Sequence, residues 1–265
     1  MATTVLGLKT FTASDPVDYN EINDNYNKID SGVKTALQGR AAHNLLDNSD
    51  FSNLVNQDNL SGTLTSAGYI FDRWSLVSGS VAIGDSGITL DGTIKQVLEA
   101  APSGSVTAAA SAGAASYDAG TKTFTLTASG VMITWAALYE GSYTADTLPA
   151  YQPKGYAAEL AECQRYYYQS WTGSIGANGI ITRQAMALPR LASVELPCTM
   201  RTTPTITLYT SNGQAGAVKG WLDSVVVSGM TVVYANSKSF IPAHEGNGLT
   251  IGNWYGFHYT ASADL

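Results

Sequence analysis

Val131-Met132-Ile133-Thr134-Trp135-Ala136-Ala137-Leu138-Tyr139, read as a strand, is apolar on both sides. Val131, Ile133, Trp135, Ala137 and Tyr139 fall on one face, and Met132, Ala136 and Leu138 on the other. Such a strand belongs in the middle of a sheet whose two faces are both covered. Working outward towards the N-terminus, short apolar or alternating runs at 80–83, 87–90, 94–98, 105–110 and 121–127 are separated by Gly, Ser and Asp. That spacing predicts a jelly-roll-like β-sandwich over residues 44–150.

Towards the C-terminus, Pro149, Pro153 and Gly155 interrupt the β pattern, and residues 156–168 then read as one helix. Leu160, Cys163 and Tyr167 share a face at helical spacing, with Glu159, Glu162 and Arg165 outside it. This predicts a linker helix within 151–170. Beyond Trp171 strands resume at 179–187, 193–196, 205–209, 224–227, 231–234 and 249–259. Asn178-Gly179, Asn212-Gly213 and Asn247-Gly248 provide turn dipeptides, so residues 171–265 read as a second β-sandwich.

The first 43 residues differ in kind. After the start signal Ser14-Asp15-Pro16, apolar or aromatic residues fall at Tyr19, Ile22, Tyr26, Ile29, Val33 and Ala36, followed by Leu37. Steps of three and four make a heptad seam. A helix this short is marginal alone, so the seam packs either on the chain's own globular part or on other copies. Gly32 and Gly39-Arg40 give the segment the look of a detached stalk, which favours self-association, with a homotrimer as the expected count. The chain is thus expected to be mainly β, with a short N-terminal coiled-coil helix, two sandwiches and a helix between them.

The 265 residues suffice for two modest domains. Only 13% of residues are charged and the net charge is -7, which excludes a phosphate-neutralising surface and disfavours anionic membrane. Cys163 and Cys198 can form at most one bridge and read as reduced, packed thiols. The start MATTVLGLKT lacks the pattern of a signal peptide, and no apolar run reaches the ~20 residues of a membrane span. Cytoplasmic synthesis is expected.

Several stretches act as a set. Asn44-Leu45-Leu46-Asp47-Asn48-Ser49-Asp50-Phe51-Ser52 with Phe71-Asp72-Arg73-Trp74 resembles the opening of jelly-roll domains in bacteriophage tail fibres and, more loosely, in carbohydrate-binding modules. The run 133–142 leads to Glu159-Leu160-Ala161-Glu162-Cys163-Gln164-Arg165-Tyr166-Tyr167, which is similar to a strand, link and helix recurring in tail-fibre and prophage tail proteins. Leu196-Pro197-Cys198-Thr199-Met200-Arg201-Thr202-Thr203-Pro204 and the ending Thr260-Ala261-Ser262-Ala263-Asp264-Leu265 resemble further elements of that family. The resemblance implies an oligomeric virion tail protein that contributes to host adsorption, held to tail or baseplate proteins by its N-terminal segment and released by lysis. It supplies no catalytic or sugar-contact residues.

Enzyme chemistry is thinly represented. His43, His244 and His258 lack metal-ligand spacing, and no G-x-S-x-G elbow occurs. Asp47, Asp50, Asp72, Asp85, Asp91 and Glu140 can in principle meet as a hydrolytic pair or, at Asp47 and Asp50, hold calcium, but turn and cap roles account for them more simply. The expectation is a non-enzyme with no cofactor and no catalytic or metal site. Sugar binding needs aromatic faces. Trp74 and Trp135 fall in strand-like apolar runs and read as core, whereas Trp171, Trp221, Trp254 and Tyr255 are the candidate ligand contacts, with packing or trimer contacts as the other reading. Three functions follow: a glycan-binding receptor tip, a structural adaptor, or a polysaccharide depolymerase.

Overall fold

A computed structural model describes residues 8, 18–38, 42–176, 180–186, 189–246 and 248–264. It is mainly β, as expected. The start signal at Ser14-Asp15-Pro16 and the Asn178-Gly179 pair lie outside the described residues, as does Asn247. Helix α1 (Tyr19–Gln38) follows Asp18, whose carboxylate accepts the Asn20 N–H at 2.9 Å and whose carbonyl accepts Ile22 N–H at 3.1 Å.

The first lobe holds β1 (Gly62–Leu64), β2 (Gly68–Phe71), β3 (Trp74–Gly84), β4 (Gly87–Val97), β5 (Val106–Ala110), β6 (Ala114–Asp118), β7 (Thr123–Ile133) and β8 (Ala136–Glu140). One sheet runs β1-β3-β4-β7-β6, with β2 added on β3, and β5 pairs β8 across from it. The expected strand over 131–139 is divided: the end of β7 leaves Val131 and Met132 exposed, and after Thr134 and Trp135 the chain enters β8. The buried half keeps the predicted central place. β8 has β5 on one side, and on the other Leu45 N–H donates to Leu138 O while Ala136 N–H donates to Ser49 O. Between the two layers Phe51, Phe71, Trp74 and Phe124 meet edge to face with Leu46, Ile88, Ile133 and Leu138 around them. Each such side chain contributes roughly 1.5–3 kcal/mol by leaving water.

Helix α2 (Tyr156–Cys163) is shorter than the expected 156–168. The β-favouring run Tyr166-Tyr167-Tyr168 overrides helical continuation, and Tyr167 opens β9 (Tyr167–Gln169) instead of sharing a helical face with Cys163. Glu159 is also not outside: it is buried, with Oε2 accepting the Asn48 N–H at 2.6 Å. Glu162 pairs with Lys154 at 2.6 Å and Arg165 with Glu99 at 3.2 Å, so the two do not pair with each other.

The second lobe adds β10 (Ile181–Gln184), β11 (Val194–Glu195), β12 (Thr205–Tyr209), β13 (Ala217–Gly220), β14 (Val226–Ser228), β15 (Met230–Val233), β16 (Ser239–His244) and β17 (Trp254–Ser262). Its main sheet runs β10-β17-β13-β14, with β12 and β9 on the far half of β17, and a three-stranded sheet β11-β16-β15 completes it. Leu191, Met200, Leu208, Val218, Phe240, Phe257 and Tyr259 form a second core. No described helix is long and apolar enough to cross a membrane.

Candidate functional site

β17 alternates, and the alternation sorts the candidate residues. Tyr255, Phe257, Tyr259 and Ala261 point into the second core, so Tyr255, expected as a ligand contact, is buried, and its hydroxyl accepts the Thr250 N–H at 2.8 Å. Trp254, Gly256 and His258 occupy the outer face. Trp221 N–H donates to Trp254 O at 2.8 Å, which puts the two exposed tryptophans at one end of this face. At its other end Trp171 packs edge-on to His258 and Tyr209, each 5.6 Å away between ring centroids. The structure therefore brings Trp171, Trp221 and Trp254 onto one surface and excludes Tyr255. Trp135 is not in the core as expected. It is half-buried and stacks at 5.1 Å on Tyr151.

His258 is fully buried beneath this row. Its Nε2 lies 2.7 Å from Gly176 O and its Nδ1 3.4 Å from Ser170 Oγ, which fits the Nε2–H tautomer donating to the carbonyl and accepting from the hydroxyl. Ser170 Oγ in turn accepts the Tyr259 N–H at 2.9 Å. The histidine thus pins the 170–176 segment that carries Trp171.

A cleft of about 580 Å³ opens beside Trp171, between the loop 56–59 of the first lobe, α2 and the 168–176 segment. Its walls carry the amides of Asn56, Gln57, Asn59, Gln164 and Gln169 and the rings of Tyr156, Tyr168 and Trp171, and among the described residues no charged side chain lines it. The Asn59 and Gln164 amides make no hydrogen bond among the described residues. Gln57 is fixed: its backbone N–H and side-chain amide donate to Asp72 at 2.7 and 2.6 Å, and the amide also donates to Tyr167 O at 2.8 Å. The amide of Gln169 donates to Gln57 O. Burial raises the Asp72 carboxyl to about 6, against the two Gln57 hydrogen bonds that pull it down. Sequence reasoning identified Trp171 but none of the amides, which carry no spacing signal because loops from both lobes supply them.

Asp47 and Asp50 are occupied structurally. Asp47 pairs with Arg73 at 2.9 Å, and Asp50 accepts the Ser52 N–H and hydroxyl, so these two serve a junction and a turn and not one cation. Among the described residues no three His, Cys, Asp or Glu side chains gather in metal-binding geometry. On α1, Tyr19 is 76% and Tyr26 67% exposed, Ile29 and Val33 are exposed too, and Ile22 is half-buried. Ala36 and Leu37 lie where side chains are outside the description. Compared with protein-family models, curated proteins and solved structures, the chain matches none of them.

Proposed function

We propose that the chain is a non-catalytic attachment subunit of a bacteriophage tail, in which three copies associate through α1 and the outer face of the second lobe takes a neutral glycan of the bacterial surface. The carrying observation is the chemistry of the Trp171 cleft: amides and aromatic rings without a charge. A pyranose offers an apolar ring face and a rim of hydroxyls, which such rings and amides match in kind. The tail assignment draws on the ordered resemblance of the segments from Asn44 to the C-terminus. Self-association is supported by the exposed seam Tyr19, Tyr26, Ile29 and Val33, since a 20-residue helix with an uncovered apolar stripe gains stability only by burying it. Three weak sites on one body raise the effective concentration, so millimolar affinity per site serves adhesion.

The test joins light scattering with retention on host cell-wall glycan. A trimer that is retained, and that loses retention when Trp171 and Gln164 are both changed to Ala, is the expected result. A monomer that passes through unretained removes the reading. A structural adaptor is the second reading, favoured by Leu222 at 87% exposure and Ile251 at 64%, apolar groups that a neighbouring protein would cover. The chain lacking residues 1–40 and fused to a foreign trimerisation segment separates the two: a receptor binder still binds cells, and an adaptor loses its one activity, attachment to the tail.

A further inference from the structure

The outer face of β17 has a second hollow, at the end away from the cleft. It encloses about 180 Å³ and is lined by Ile180, Ser211, Lys219, Trp221 and Ser224, with Gly220 and Gly256 in its floor. Thr182, Gly256 and Lys219 form one cross-strand row in the register of β10, β17 and β13. Because Gly256 contributes no side chain, the Trp221 ring closes over it: a Cβ there would stand 3.4 Å from Trp221 Cε3 and 2.9 Å from Ile180 Cγ2. The ring is fixed by that contact and still 58% exposed.

Lys219 is half-buried, and its ammonium has no carboxylate or carbonyl partner among the described residues. The Ser211 and Ser224 hydroxyls are likewise without partners there. Asp223, the carboxylate in the adjoining turn, accepts the Val225 N–H through Oδ1 at 3.0 Å and forms no ion pair with Lys219. One cation, two hydroxyl donors and an aromatic wall together suit a group that is anionic at one end and has an apolar ring face at the other.

We infer that this hollow binds an acidic sugar residue, its carboxylate or phosphate on Lys219 and the two serines and its ring against Trp221. The outer face then reads two chemistries, a neutral one at the Trp171 cleft and an anionic one here. The inference rests on the glycan reading for the polymer that supplies the sugar, not for the chemistry of the hollow.

The full chain is titrated with glucuronate, glucose 6-phosphate and glucose, followed by saturation-transfer NMR and tryptophan emission. At least one of the two anions binds, more weakly as salt rises, and glucose binds about tenfold less well, the size of one charge-assisted hydrogen bond. Lys219→Met reduces the anion to the level of glucose, and Trp171→Ala leaves it unchanged. A response to glucuronate alone assigns a uronic acid, and one to glucose 6-phosphate alone a phosphorylated sugar. Equal binding of all three sugars overturns the inference, as does an unaltered Lys219→Met variant or a Trp221 already shielded from quenchers in the ligand-free oligomer. Loss of cell-wall retention with anion binding intact would remove the cleft reading and leave this one standing.

Discussion

Arg73 shows how much one residue holds. It adopts φ +72°, a conformation costly for a non-glycine residue, and is almost fully buried. Its guanidinium donates to Asp47 at 2.9 Å and Val97 O at 2.8 Å and lies 3.5 Å from the Tyr166 ring centroid. Arg73→Ala leaves Asp47 without its closest cation, so denaturant melts should show a loss of about 3 kcal/mol or more. Arg73→Lys, which lacks the planar fork, should recover only part. Next to it, Asp72 predicts a pH dependence. Its carboxyl sits near 6 when folded and near 3.8 when exposed, so burial of the anion opposes folding above pH 6 and that cost fades as pH falls towards 4. The difference is at most about 3 kcal/mol. Asp72→Asn should therefore flatten the rise in melting temperature between pH 7 and 5, and an unchanged profile would refute the assignment. Of these roles the sequence displayed only the string Phe71-Asp72-Arg73-Trp74. The Trp254 and Tyr255 pair was more legible: strand alternation alone dictates that one faces out, although not which.

Among elements, the strands with regular alternation were readable and those shaped by irregularity were not. The expected run 249–259 and β17 share the inner residues Tyr255, Phe257 and Tyr259, whereas the expected helix over 156–168 stops at Cys163 because three consecutive tyrosines divide between lobes. Tyr166 takes Arg73, the Tyr167 hydroxyl donates to Asp58 at 2.5 Å, and Tyr168 packs on Tyr259. Long-range partners of that kind leave no local pattern. The long hairpin of β3 and β4 shows in the sequence only as the three short runs 80–83, 87–90 and 94–98, because Gly79 and Gly92 interrupt its apolar alternation. They face each other in register, and a Cβ on Gly92 would lie 2.1 Å from Ser78 O. Gly92→Ala, at φ +141°, should cost more than about 1 kcal/mol in a thermal melt. For α1, Ile29→Asp should convert the proposed trimer to a single chain in light scattering while the strand signal in circular dichroism stays.

At the scale of the whole molecule, two cores meet through a polar seam. Gln57 bridges Asp72 to Tyr167, Gln169 returns to Gln57, and Ala263 N–H donates to Tyr166 O at 2.6 Å. Arg201 closes the seam by donating to Ala263 O at 3.0 Å. Gln57→Ala should loosen the seam without entering either core, read as faster amide exchange at Gln169 and Tyr167 with β4 and β7 unchanged. The mainly β character on both sides of a helix was visible in composition and turn signals, but the seam was not, because residues about 110 apart build it. The position of β17 carries a last consequence. It pairs with β9, β10, β12 and β13, so four earlier strands wait for one that follows them all in the chain. A nascent chain on the ribosome can close the first lobe early, yet the second condenses only after Ser262 has emerged. Chains cut short of Ser262 then leave four strands without the neighbour that satisfies their backbone groups, and those open edges invite proteolysis.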